Sequence, residues 1–184
     1  MSILVSGASG QIGSDLVRNL SKNFKIIAIY NTKKKMIKLK NVVWIKHNFE
    51  KKLLRKFNNR PKYIIHCAVN QKYFQNNEKK YFQSNSLIME NIIDFAKKNK
   101  SNFILNLSSI DVYGFINKSF VSEEYLPLQP NIYGKMKLKL EEKLYKENIN
   151  FVNLRLPGVL SKNNQNLQRP WLNKVIKQIK QNKK

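Results

Sequence analysis

Tyr133 and Lys137 lie four residues apart in a stretch of helical periodicity running from about Asn131 to Asn148, so their side chains share one helix face. That spacing has a chemical use. A free phenol titrates at about 10, and making it a base near neutrality takes about 4 kcal/mol, which an ammonium in a partly dry cleft can supply by stabilising the phenolate. Spacing alone does not identify such a pair, because Tyr30 and Lys34 share it. The latter two fall at a strand end with no serine upstream. Tyr133 and Lys137 instead follow the serine pair Ser108-Ser109 and the Tyr113-Gly114 turn.

For such a pair to act, other elements must bring a reactant to it, and the first candidate is at the start of the chain. Ile3-Leu4-Val5-Ser6 is a short apolar run that empties into Gly7-Ala8-Ser9-Gly10-Gln11-Ile12-Gly13, followed by an amphipathic segment with Ile12, Leu16, Val17 and Leu20 on one face. It reads as strand, phosphate loop, helix. Glycines suit a sharp strand-to-helix turn that needs positive φ and close approach to a diphosphate, which would rest on the free amides of the helix. The loop contains no lysine, which separates it from a Walker-type loop. The blander alternative is a glycine-rich turn in an ordinary α/β protein.

Lys25–Tyr30 reads as a second buried strand, and its end is where dinucleotide-binding domains choose their cofactor. An acid is usual there, but this chain has Asn31, Thr32 and Lys33, followed by Lys34 and Lys35. A carboxylate would repel a 2′-phosphate and these groups would accept one, so the residues favour NADP over NAD. The same lysines also fit a solvated loop. Further on, a third strand is expected within Asn41–His47, a short helix over Glu50–Phe57, and a fourth strand over Tyr63–Ala68 in which His66 is a core histidine. A long helix is expected over Glu78–Lys100, with Leu87, Ile88, Ile92, Phe95 and Ala96 buried. Asn85, on that face, reads equally as a cap or surface residue and as a buried structural or relay residue. Asn102–Leu107 is the fifth strand and carries Ser108 and Ser109 to the carboxyl edge of the sheet, where open α/β folds bind ligands.

Composition narrows the remaining classes. A chain of 184 residues with 42% hydrophobic content suits one domain with a single core. No stretch has the apolar length of a membrane span, and the chain begins directly with a strand, so a soluble cytoplasmic protein with no membrane partner is expected. The single cysteine, Cys67, and two histidines support neither a disulfide framework, nor a metal site, nor a Ser-His-Asp arrangement. The net charge of +24 is spread over nearly every expected helix and loop, without a basic face interleaved with aromatics. No specific nucleic-acid partner is expected, and the positive field would draw in phosphorylated ligands.

Five blocks in order carry a resemblance: Gly7 to Gly13, Ile65-His66-Cys67-Ala68, Ser108-Ser109-Ile110-Asp111-Val112-Tyr113-Gly114, Tyr133-Gly134-Lys135-Met136-Lys137 and Leu154-Arg155-Leu156-Pro157-Gly158-Val159. Through them the chain resembles the extended short-chain dehydrogenases/reductases of the NAD-dependent epimerase/dehydratase family over essentially its whole length. The resemblance implies an α/β, Rossmann-like doubly wound parallel sheet with helices on both faces, an NAD(P)-binding domain over 1–160, and the start of a substrate-binding region over 161–184. It implies catalysis by Ser109, Tyr133 and Lys137, with Tyr133 moving the proton and Lys137 also binding ribose. Cofactor contacts are implied for Gly7, Ser9, Gly10, Gln11, Ile12, Gly13, Asn31, Thr32, Lys33, Asn48, Cys67, Ala68, Asn85, Lys137 and Pro157.

The implied partners are NADP or NAD and a nucleotide-sugar. The chain departs from the family pattern where an acid would follow the second strand and where Asn48 replaces an aspartate. It also stops soon after Arg169–Ile179, leaving most of the substrate half missing. Trp171, Val175 and Ile176 are then expected to be partly uncovered, favouring a homo-oligomer or poor solubility. The competing classes are an NAD(P)-dependent enzyme, a dinucleotide-binding module without turnover, and a basic nucleic-acid binder.

Overall fold

Six short runs rich in isoleucine, valine and leucine become six strands, the four inner ones largely buried, as in the middle of a parallel sheet, and the two edge ones partly exposed. The computed structural model describes residues 1–32, 38–55, 57 and 60–159, together with Val175, Gln178, Ile179 and Gln181. The strands are β1 (Ser2–Ser6), β2 (Lys25–Tyr30), β3 (Val42–Lys46), β4 (Tyr63–His66), β5 (Phe103–Ser109) and β6 (Phe151–Leu156). All neighbours pair in parallel, in the order β3-β2-β1-β4-β5-β6. The direction of winding reverses between β1 and β4. At such a reversal the flanking loops diverge and open a crevice at the carboxyl edge.

Three helices cover the two faces: α1 (Gln11–Leu20), α2 (Glu78–Asn99) and α3 (Ile132–Tyr145). Strand alternation sorts the core. Ile3, Val5, Ile26, Ala28 and Ile65 face Val17 of α1, whereas Leu4, Ile27, Ile29, Ile64 and Ile104 face α2 and α3 through Ile88, Ile92, Met136, Leu140 and Leu144. Both long helices are capped as their sequences suggest. Asn77 accepts from the Lys80 amide and Asn131 from the Gly134 amide. The expected doubly wound sheet with helices on both faces is the architecture found.

Two local expectations are corrected. The described residues of Glu50–Phe57 contain no helix. Asn48 accepts from the Glu50 amide at 2.9 Å and so offers the backbone a turn in place of a helix. Leu87 is 41% exposed, because the buried stripe of α2 runs through Tyr81, Asn85, Ile88, Met89, Ile92, Phe95 and Ala96 and passes it by. Among the described residues no helix is long and apolar enough to cross a membrane, and no acidic, histidine or cysteine group could hold a metal. Lys33, Trp171, Ile176 and most of 161–184 lie outside the described residues. Val175 and Ile179 are described and are 41% and 54% exposed.

Candidate active site

The glycine turn at the end of β1 is closed against its neighbours by backbone contacts that admit no side chain. Gly7 has φ +64°, and a Cβ there would lie 2.8 Å from the Ala68 amide nitrogen; one on Gly13 would lie 2.3 Å from the Gly7 carbonyl oxygen. Gly10 is the N-cap of α1 and no side chain caps that helix. The positive end of the helix dipole therefore meets a turn built from main chain, the arrangement that suits an anion. Ser9 Oγ donates to the Thr32 carbonyl at 3.1 Å, tying this turn to the end of β2, where Asn31 and Thr32 are exposed.

Around the adjoining loops, side chains are committed to holding one another. Asn48 folds back on Glu50, donating to its carboxylate at 2.8 Å. Hydrogen bonds from Ser84 and Asn48 hold the Glu50 carboxyl below its ordinary range, with Asn70 and the Lys72 charge adding to the effect against a smaller penalty from burial. Asn85 is 1% exposed and accepts from the Asn70 amide at 2.8 Å while donating to the carbonyls of Asn70 (3.0 Å) and Tyr81 (2.9 Å). Of its two readings, the geometry is that of a buried residue shaping the loop after β4. Cys67 and Ala68 begin that loop, and burial pushes the Cys67 thiol up to about 12, so it stays protonated. A cavity of about 370 Å³ lies at the opposite, amino edge of β2 and β3 and contains none of these residues.

On the other side of the switch, β5 ends in a 3-10 turn (Ile110–Tyr113), on which α3 sits. Ser109 Oγ donates to Asp111 Oδ2 at 2.7 Å and accepts from the Asp111 amide at 3.2 Å. Asp111 Oδ1 accepts from Asn131, the cap of α3, at 3.4 Å. Helix and turn approach so closely at Gly134 that a Cβ there would fall 2.1 Å from the Asp111 carbonyl oxygen. Tyr133 and Lys137 thus enter the site on a helix held by Asp111 at its cap and by Gly134 at its first turn.

The Lys137 ammonium is 2% exposed, donates to the Leu107 carbonyl at 2.6 Å and lies 5.7 Å from the Tyr133 ring centroid. Burial lowers it to about 8, against the opposing pull of Cys67 and Glu141. Tyr133 departs from expectation. Its phenol is raised, by burial first and then by the Asp111 charge, where the sequence suggested a phenol lowered by Lys137. The physical reason is the burial of the phenol and, after it, the Asp111 charge, while the ammonium is engaged by the β5 carbonyl. Pro157 is exposed just past β6.

Sequence reasoning passed over three charged groups. Asp111 sat unremarked inside the serine block. Glu141, one helical turn beyond Lys137, is 1% exposed, accepts from Ser108 and pairs with Arg155 Nη2 at 2.7 Å. The Arg155 guanidinium in turn lies 4.7 Å from the Tyr113 ring centroid. The missed signal for Glu141 was its place four residues after Lys137, on a face otherwise apolar.

A six-stranded parallel sheet reversing at β1, with a glycine turn at that reversal, defines the Rossmann-like class of α/β proteins. The chain belongs to the NAD dependent epimerase/dehydratase family, whose sequence model matches residues 3–184. No curated protein matches it. Among solved structures it is similar to UDP-glucuronic acid 4-epimerase from Bacillus cereus in complex with NAD (25% identity, TM-score 0.72, covering 85% of this chain and 56% of that one). It is also similar to UDP-N-acetylglucosamine 4-epimerase from Methanobrevibacter ruminantium M1 in complex with UDP-N-acetylmuramic acid (23% identity, TM-score 0.74, 84% and 54%). A third is the Bordetella bronchiseptica enzyme WbmH in complex with NAD+ (20% identity, TM-score 0.73, 86% and 56%). The chain spans about half the length of these relatives.

Proposed function

We propose that this chain binds a nicotinamide dinucleotide at the glycine turn and carries the proton-transfer half of a hydride-transfer reaction on a nucleotide-sugar. The observation that carries the reading is that Asp111 holds both Ser109 and the cap of α3, the helix that carries Tyr133, across the switch point from the glycine turn. The family membership and the UDP-sugar epimerases among the similar structures support the substrate class.

The residues fit the cofactor. The bare turn from Gly7 to Gly13 would hold the diphosphate, with Ser9 and Gln11 beside it, and the loop at Cys67 and Ala68 would wall the far side. Asn31 and Thr32 would face the adenosine ribose. The NAD complexes among the similar structures favour NAD there and lend nothing to NADP. Bound nicotinamide supplies a hydride acceptor or donor at C4. Lys137 would hold the nicotinamide ribose, Ser109 would hydrogen-bond the reacting sugar oxygen, and Tyr133 would give or take the proton on it. With its phenol raised, Tyr133 is protonated at neutral pH, so the chain's own residues are set for donating a proton to a carbonyl oxygen.

A second reading, a dinucleotide-binding module without turnover, is favoured by one observation: Lys137 is engaged by the Leu107 carbonyl, and the phenol is shifted away from base strength. Deuterium transfer from labelled nicotinamide to a nucleotide-4-keto-sugar separates the two. Transfer that falls at least 100-fold in Tyr133→Phe supports the enzyme. Equal transfer by the two proteins, or none, overturns it, and calorimetric titration with NAD and NADP then reports on binding alone. We also propose self-association through the apolar outer side of β6, where Val152 and Leu154 are 44% and 42% exposed.

A further inference from the structure

His66 has no place in the chemistry proposed above, yet it is 1% exposed and, among the described residues, only one of its ring nitrogens has a partner. It ends β4 directly beside Ser6, the last residue of β1, and the two are register partners in the sheet. Register partners of a parallel pair share a face, and Ser6 Oγ lies 2.8 Å from His66 Nδ1. Which of them donates follows from a count of protons.

Ser6 Oγ accepts from the Cys67 amide at 3.2 Å, a donor it shares with the Ser6 carbonyl at 3.3 Å, and from the Ala68 amide at 3.4 Å. A hydroxyl has two lone pairs and one proton. With amides on both lone pairs, a third donor has no site, and among the described residues the hydroxyl proton is left with His66 Nδ1 as its acceptor. Ser6 therefore donates to Nδ1. The neutral ring then carries its proton on Nε2, since burial and the Lys137 charge push His66 down to about 3. On its other flank His66 is in register with Asn106, which is fully buried and whose Oδ1 is unpaired among the described residues.

The consequence reaches the glycine turn. Ser6 immediately precedes Gly7, and Cys67 and Ala68 are the residues against which Gly7 packs with no room for a Cβ. We propose that His66 is a positioning residue for the dinucleotide site: in its Nε2-protonated form it orients the Ser6 hydroxyl so that Ser6 gathers the amides of Cys67 and Ala68 and clamps the turns after β1 and β4 together. This rests on the reading of the glycine turn as the dinucleotide site, but the tautomer itself does not.

Two measurements separate those layers. Nitrogen-15 correlation spectra of histidine-labelled protein should show His66 with its proton on Nε2, unchanged from pH 5 to pH 9, and Ser6→Ala should disturb that signature. A proton on Nδ1, or titration in this range, overturns the proposal whatever the protein binds. For the clamp, Asn at position 66 places an acceptor where Nδ1 stood, whereas Gln places its polar group near Nε2. His66→Asn should keep NAD affinity within about twofold, and His66→Gln and Ser6→Ala should each weaken it about tenfold, as loss of one hydrogen bond predicts. Circular dichroism and thermal melts would identify any variant that fails to fold, and Ser6→Ala, a smaller change on the strand, stands in for such a variant. Equal affinities for His66→Asn and His66→Gln refute the clamp. If the unaltered protein binds no dinucleotide, the site reading fails and the clamp with it, while the tautomer result stands.

Discussion

The Ser109 hydroxyl donates to the Asp111 carboxylate at 2.7 Å, so the serine proposed to touch substrate is held by a charge that also bears on the phenol of Tyr133. One residue thereby couples two parts of the site. Asp111 orients Ser109, braces the cap of α3 through Asn131 and raises Tyr133.

Removing that charge should separate these effects. In Asp111→Asn the Tyr133 phenol loses a like-charge neighbour, and its pKa falls toward the ordinary value because phenolate is no longer disfavoured by a carboxylate. Tyrosine-labelled NMR titration would show the fall, and in turnover the alkaline limb of the rate profile should move to lower pH. A phenol that titrates where it does in the unaltered protein would mean that Asp111 acts on Ser109 alone.

Burial of Lys137 should cost stability in a pH-dependent way. Its folded pKa of about 8 lies below the 10.5 of a free lysine, so the unfolded chain binds the extra proton between those values, and stability rises with pH across that window. Lys137→Met keeps the apolar stem without the charge. It should be more stable at pH 7, by on the order of 2 kcal/mol, with the difference shrinking from pH 8 towards 10.5. Urea denaturation at several pH values checks both the sign and the window.

Glu141 and Arg155 form a pair that is buried mainly on the acid side, with side-chain exposures of 1% and 19%. Glu141→Ala leaves the guanidinium without its carboxylate and Ser108 without its acceptor, and should cost about 3 kcal/mol. The double variant Glu141→Leu with Arg155→Met removes both charges and should cost less than the single change. Chemical denaturation of the unaltered protein and the two variants measures the difference.

Glu50 should govern the acid side of loop stability. Its carboxyl is held below its ordinary range, so the contribution is present above the unfolded value and is lost as pH falls through the folded one. Because most of the group faces solvent, the effect is small, under about 1 kcal/mol. Glu50→Gln should flatten the pH dependence of amide exchange in residues 69–72 below pH 5, where Asn70 donates to this carboxylate at 3.3 Å. An unchanged acid profile would show that the Ser84 and Asn70 contacts hold without the charge.

Much of this molecule was legible in its residues because the signals were local. Apolar runs of strand length alternating with helical periodicity specified the parallel sheet, three glycines marked the turn, and helical periodicity located the two long helices that Asn77 and Asn131 cap. Ser109, Tyr133 and Lys137 were singled out by spacing and by a family resemblance, and the family's sequence model matches residues 3–184. Local signals misled where a side chain far along the chain competed. Glu50 answers to Ser84 and Asn70, and a helix written over 50–57 has no description of those bonds.

Charge at the site was decided only by the fold. The charges that bear on Tyr133 depend on the close seat of α3 on Asp111 at Gly134 and on the Leu107 carbonyl that engages Lys137, two contacts made across 20 or more residues of chain. The proton on His66 is likewise set by Ser6, 60 residues earlier in the chain. Periodicity reports which face a residue turns toward the core. Which hydrogen-bond partner or charge waits there depends on how the strands are ordered and registered, and that is a property of the assembled sheet.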